Sequence, residues 1–178
     1  RIATIYVGDP EQPGKIVAAK EIFGVPLPDP STPPAADMGG GGLGSTTMDY
    51  ARFSQMLVNG GELDGVRILS PASVELMGTN VIPKNVLVSH NGDAVARFDE
   101  SVGFGLDFRV DNNARAAGSL VGDGTMSWGG AFGTWFWIDP TNDLIFVGMI
   151  QRAGGAGGDD LGTMARTLTY QALTHPEK

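Results

Sequence analysis

Two near-continuous apolar runs, residues 134–138 and 144–150, stand either side of Asp139-Pro140-Thr141-Asn142-Asp143, and this arrangement constrains the fold more than any other. Runs that short, rich in aromatic and β-branched residues, suit buried strands, and Pro140 suits the second position of the turn between them. The two runs are expected to pair antiparallel as a central hairpin. All three tryptophans, Trp128, Trp135 and Trp137, fall in or just ahead of the first run, which is preceded by Trp128-Gly129-Gly130-Ala131-Phe132. Adjacent glycines in a strand lose side-chain packing and cost conformational entropy. Such a pair marks either a plain bulge or a place where another backbone or a ligand comes close.

The rest of the chain supplies elements to pack on that hairpin. Residues 8–37 are rich in proline (Pro10, Pro13, Pro26, Pro28, Pro30, Pro33, Pro34), which removes backbone donors and disfavours helix and central strand alike. Residues 1–38 are therefore expected to form an extended surface connection. Thr46 can cap a helix and Asp49 can return the bond; Phe53, Met56 and Leu57 then recur at helical spacing until Gly60-Gly61 supplies the stop near Asn59. Ser70 and Pro71 signal a second short helix through Val74, Leu76 and Met77. Signals are weak over 79–100, where a loop is expected. Phe104, Leu106, Phe108 and Val110 alternate with Gly103, Gly105, Asp107 and Arg109, which predicts one half-buried strand ended by Asp111-Asn112-Asn113. Leu161, Met164, Ala165, Leu168 and Ala172 sit at helical spacing behind Asp159 and Asp160, and this last helix is expected to cover one face of the sheet.

Composition excludes several classes of function. A chain of 178 residues with 42% hydrophobic content suits one domain with a core. Its net charge of −8, from 12 basic and 20 acidic residues, repels a polyphosphate, so nucleic acid is not an expected partner. Without cysteine there is no disulfide, no thiolate zinc site and no cysteine nucleophile. No apolar stretch approaches the roughly eighteen residues of a membrane span. The start, Arg1-Ile2-Ala3-Thr4-Ile5-Tyr6, has neither an initiator methionine nor the layout of a signal peptide, and is expected to lie within a longer protein. Cytoplasm and periplasm both remain open.

Several motifs fail on inspection. The glycines at 39–42 precede a helix, but no Gly-Lys-Ser/Thr follows, so they are read as a structural approach and not a phosphate loop. His90 and His175 are far apart, lack a ligand-spaced carboxylate and are read as exposed; neither metal nor cofactor is expected. Ser127 is flanked by Thr125 and Gly129, so the first glycine of a nucleophile elbow is missing. Asp159-Asp160 reads as a solvated helix start in preference to an acid-base pair.

The order of features is more specific than any one of them. Gly39-Gly40-Gly41-Gly42-Leu43-Gly44-Ser45-Thr46-Thr47-Met48-Asp49-Tyr50-Ala51-Arg52-Phe53, then Met56-Leu57-Val58-Asn59-Gly60-Gly61-Glu62-Leu63-Asp64-Gly65, Ile68-Leu69-Ser70-Pro71, Gly103-Phe104-Gly105-Leu106, Trp128-Gly129-Gly130 and Trp137-Ile138-Asp139-Pro140 follow one another. This succession resembles the C-terminal half of the serine β-lactamase-like superfamily, nearest to class C β-lactamase-related proteins and family VIII carboxylesterases. The resemblance implies an α/β fold of the α+β type, the C-terminal part of the β-lactamase/transpeptidase-like fold, with an antiparallel sheet flanked by helices. It places a helical segment at 46–78 and the sheet and terminal helix at 101–173, within a half-domain over 39–178.

It also implies a site. Trp128-Gly129-Gly130 stands where the superfamily carries Lys-Thr-Gly or a variant, so the Ala131 N–H is expected in the oxyanion hole, with Trp128, Gly129, Gly130 and Phe132 lining the substrate. Trp128 in place of lysine removes the cation that would hold a substrate carboxylate, which implies a preference for neutral or aromatic acyl esters. The plain reading of Trp128 is a core aromatic. The superfamily's Ser-x-x-Lys nucleophile and base are absent, because the residues three before Lys15, Lys20, Lys84 and Lys178 are Gln12, Val17, Val81 and His175. Tyr6 resembles linker. The nucleophile, base and tyrosine are thus expected upstream of Arg1, in an N-terminal portion that would be this chain's partner. The expected activity is a carboxylesterase with weak β-lactamase activity on a small-molecule ester or amide. A non-catalytic binding module and a D-Ala-D-Ala carboxypeptidase or transpeptidase are the alternatives.

Overall fold

The computed structural model describes residues 2–22, 24–27, 29, 31–33, 36, 39–41, 43–83, 101–153 and 158–174, the side chains of 158–160 excepted. Where sequence suggests a plain connection, the N-terminal stretch holds two small antiparallel hairpins. These are β1 (Tyr6–Gly8) with β2 (Ile16–Ala18), and β3 (Glu21–Ile22) with β4 (Val25–Pro26). Pro10 and Pro13 fall in the loop between β1 and β2, and Pro26 ends β4, so no interior ladder donor is lost.

Helix α1 (Thr47–Val58) starts as expected at Thr46, whose Oγ1 accepts the Asp49 N–H at 3.1 Å. The return bond differs, because the Asp49 carboxylate takes the Thr46 hydroxyl at 2.8 Å. A short hairpin, β5 (Glu62–Leu63) with β6 (Val66–Arg67), leads to α2 (Pro71–Met77), capped by the Ser70 hydroxyl.

The main sheet is an antiparallel meander of β7 (Val102–Phe104), β8 (Arg109–Asp111), β9 (Thr125–Gly129), β10 (Trp135–Asp139) and β11 (Leu144–Gly148), in spatial order β11-β10-β9-β8-β7. The expected pairing of the two apolar runs occurs in register from Trp135↔Gly148 to Asp139↔Leu144, although β11 lies at the end of this sheet and not at its centre. The single strand expected over 104–110 is instead the two arms of a hairpin, β7 and β8. Asp107 turns the chain with φ 64°, and the Gly105 N–H bonds the Phe108 carbonyl at 2.8 Å. The period of two survives a two-strand hairpin as readily as one strand, which is why alternation alone misleads here.

Register assigns the faces. Val110, Met126, Ile138 and Ile145 are in line across four strands. With Phe108 and Phe136 the latter three build a core against Met56, Leu57 and Val74 of α1 and α2. Full burial of each such side chain contributes about 1.5–3 kcal/mol. The opposite face carries Trp137, stacked on Phe146 at 4.2 Å and packed with Ala114, Val121 and Tyr170 under α3 (Gly158–Ala172).

Helix α3 covers a sheet face as expected, but of the five residues its apolar spacing suggests only Ala165 is turned inward. Ala165, Tyr170 and Leu173 pack inward and Arg166 lies 5.3 Å over the Trp137 ring, while Leu161, Met164 and Leu168 are 44%, 57% and 61% exposed. The reason is polar. Buried Asp139 accepts from the Tyr170 hydroxyl at 2.5 Å, the Gly122 N–H at 2.8 Å and the Asn142 N–H at 3.0 Å. Buried Asp111 pairs with Arg109 at 3.0 Å and faces Arg166 at 3.9 Å. Buried carboxylates need such donors, so Arg166 and Tyr170 are drawn to the sheet and the aliphatic stripe rotates out. Burial lowers the pKa of Arg166; burial first, then the Asp139 hydrogen bond, raise that of Tyr170 above its ordinary 10.

Candidate functional site

Strand β9 outruns its neighbour. It pairs with β8 only from Thr125 to Ser127, whereas its pairing with β10 continues through Trp128↔Phe136 and Gly129↔Trp135. Among the described residues, Trp128 and Gly129 therefore have a ladder partner on the β10 side only. Trp128 is 49% exposed and meets the Phe104 ring edge-on at 5.1 Å. Phe104 is itself held by residues after α2. Its N–H donates to the Asn80 Oδ1 at 3.1 Å, and its carbonyl accepts the Val81 N–H at 2.9 Å.

The turn from β9 to β10 spans residues 130–134. The Gly130 N–H donates to the Thr134 carbonyl at 2.7 Å, and the Gly133 N–H to the Gly130 carbonyl at 3.0 Å. Trp128, Gly129, Gly130 and Ala131 form one exposed run along this tip, and the Ala131 N–H has no acceptor among the described residues. Phe132 is only partly exposed, with its carbonyl turned away to the Arg152 N–H at 2.8 Å.

The two glycines have different reasons to be glycine. A Cβ on Gly130 would collide with the Thr134 hydroxyl, so the turn's own closure excludes a side chain there unless Thr134 rotates. At Gly129 the nearest atom to such a Cβ is the Thr134 carbonyl at 3.6 Å, ordinary contact. Nothing in the described chain needs glycine at 129.

Ser127, which lacks the nucleophile-elbow setting, is buried on the face toward α3, in line with Arg109 and Trp137. His90, His175 and positions 84–100 of the expected loop lie outside the described residues, as do the side chains of Asp159 and Asp160. No group of three or more His, Asp or Glu suited to a metal ion, and no helix long and apolar enough to cross a membrane, occurs among the described residues. Sequence reasoning missed Phe104 as a neighbour of Trp128. The glycines at 103 and 105 were a signal of close approach, since a Cβ on Gly103 would collide with the Asn80 side chain and one on Gly105 with the Met77 carbonyl, but a single-strand reading hides it.

An antiparallel meander with helices on both faces and a tryptophan-glycine-glycine strand end is the arrangement expected of a serine β-lactamase-like fold, and the comparisons bear it out. The chain belongs to the beta-lactamase family, whose model it matches over residues 3–171. Protein Rv1367c of Mycobacterium tuberculosis (strain ATCC 25618 / H37Rv) is 43% identical to it over 124 residues, which is 68% of this chain and 30% of that protein. The chain thus spans less than a third of the length of this curated relative. Among solved structures it is similar to simvastatin synthase (LovD) from Aspergillus terreus, with TM-score 0.73 and 16% identity over 97% of this chain and 43% of that one. EstCE1, described as a hydrolase with promiscuous acyltransferase activity, gives TM-score 0.65 and 21% identity over 94% of this chain and 43% of that one. At these identities the likeness shows the fold alone.

Proposed function

We propose that this chain is the oxyanion side of a serine hydrolase that works through an acyl-enzyme on small-molecule esters, with the nucleophilic serine, its lysine and the tyrosine supplied by an N-terminal portion of the same protein. The observation that carries this reading is the N–H of exposed Ala131, which has no acceptor among the described residues and follows a strand end, Trp128-Gly129, paired on one side only among them. An acyl-transfer site needs such a donor where negative charge develops, and its removal costs on the order of a hundredfold or more in rate. Gly129 would let substrate lie along the edge, Gly130 would close the turn, and Trp128 with Phe104 and Phe132 would wall the acyl group. Aromatic area in place of a cation favours neutral over carboxylate-bearing substrates. The hydrolase and acyltransferase activities named for EstCE1 agree with this chemistry.

The test is to assay the full gene product, including whatever precedes Arg1, with a chromogenic aryl ester and a chromogenic cephalosporin. Ester turnover well above cephalosporin turnover is expected, with Trp128→Lys shifting the ratio toward the cephalosporin. Inactivity toward both would refute the proposal; an unshifted ratio in Trp128→Lys would refute the role given to Trp128.

A further inference from the structure

The turn at 130–134 is the kind of exposed tip that ordinarily frays. Here it is tied into backbone on its far side. Residues 150–153 follow β11 and run beside the tip, where the Arg152 N–H donates to the Phe132 carbonyl at 2.8 Å. The neighbours of Arg152 are both taken by one residue of β1. The Tyr6 N–H donates to the Gln151 carbonyl, and the Ala153 N–H to the Tyr6 carbonyl, each at 2.8 Å, a parallel bridge of Tyr6 to Arg152. Tyr6 in turn pairs with Ala18 of β2, and the Ala19 N–H closes on the Ile5 carbonyl at 2.8 Å. Contact is close as well as hydrogen-bonded. Gly133 has φ 82°, and a Cβ there would stand 2.8 Å from the Ile150 side chain and 3.2 Å from the Arg152 carbonyl.

We propose that the β1–β2 hairpin braces the 130–134 turn through residues 150–153 and so fixes the direction of the Ala131 N–H, with Tyr6 and Gly133 as positioning residues. This rests on the hydrolase reading above. An oxyanion donor works because it is already aimed, and a displacement of about 1 Å can cost about a hundredfold in rate. Tyr6 acts through its backbone, so its identity matters only where the N–H is lost. Nothing in the turn's own residues reveals this dependence on a strand more than a hundred positions earlier.

The decisive variants, made in the full gene product, are Tyr6→Pro, which deletes the N–H that Gln151 accepts, and Tyr6→Phe, which keeps it. Tyr6→Pro is expected to speed amide exchange at Gly133 and Arg152 by about tenfold or more, the loss of one net hydrogen bond. It is also expected to lower kcat on the aryl ester about tenfold to a hundredfold while KM stays within about twofold. Tyr6→Phe should change neither. Unchanged exchange in Tyr6→Pro, or faster exchange with kcat intact, would overturn the proposal. Should Tyr6→Pro not fold, Gly133→Ala is measured by the same two readouts, and the same outcomes support or overturn the brace. A parent protein that turns over neither the aryl ester nor the cephalosporin refutes the hydrolase reading and with it the purpose of the brace, while exchange still decides whether the brace exists.

Discussion

The two faces of the main sheet are built on opposite principles. Toward α1 and α2, Met126, Ile138 and Phe136 meet Met56, Leu57 and Val74 in an apolar layer that needs no directional partners. Toward α3, two buried carboxylates, Asp111 and Asp139, organise the packing through arginine, tyrosine and backbone donors. That face also keeps Arg109 Nε, Asp111 Oδ2, Trp135 Nε1 and Trp137 Nε1 buried with no hydrogen-bond partner among the described residues. An apolar layer tolerates small changes of volume, whereas a polar one depends on every donor being present. The difference teaches that apolar spacing orients a helix better against an apolar surface, where Met56, Leu57 and Val74 are buried although Phe53 and Leu76 stay exposed, than against a polar one.

Denaturant unfolding of a few variants would break or sharpen this contrast. The largest effect is expected from Asp111→Ala, which leaves Arg109 and Arg166 facing each other without their anion; a loss of about 3–5 kcal/mol is anticipated. A loss below about 1 kcal/mol would mean that this face is held by packing alone. Next is Tyr170→Phe, expected to cost about 1–3 kcal/mol, because Asp139 loses one donor but keeps Gly122 and Asn142. Its pH dependence has a definite sign. Since burial and Asp139 raise the folded-state pKa of Tyr170, the unfolded chain releases its proton first, so stability holds below the ordinary value of 10 and falls as pH rises beyond it. Tyr170→Phe should flatten that alkaline decline, and an unaltered slope above pH 10 would show that Tyr170 does not control it. The smallest effects separate the faces most sharply. Ile138→Val should cost about 0.5–1.5 kcal/mol for one methyl group, while Leu168→Ser on exposed α3 should stay within about 0.5 kcal/mol. Equal losses would place Leu168 in a core after all.

Legibility in the sequence followed the nature of the signal. Caps were readable because their chemistry is local: Thr46 and Ser70 each act within three residues. The pairing of residues 134–138 with 144–150 was readable because a short turn leaves one register. Phe104 was misplaced because alternation does not record a reversal of direction, and Asp107 at φ 64° is an uncommon host for one. Trp128, Gly129, Gly130 and Ala131 were singled out by composition and by resemblance. Which of the two glycines answers to the turn, and which has room for a side chain, depends on where Thr134 stands.

Read as a string, this protein already specifies its helix starts, its aromatic strands and the glycine-rich strand end, since each is written in neighbouring residues. Folding settled which side of α3 turns inward, that Phe104 stands against Trp128, and that a hairpin near residue 6 is hydrogen-bonded to the segment beside the turn near residue 131. Those outcomes rest on partners distant in the chain, whose distances and hydrogen bonds exist only once the sheet has brought them together.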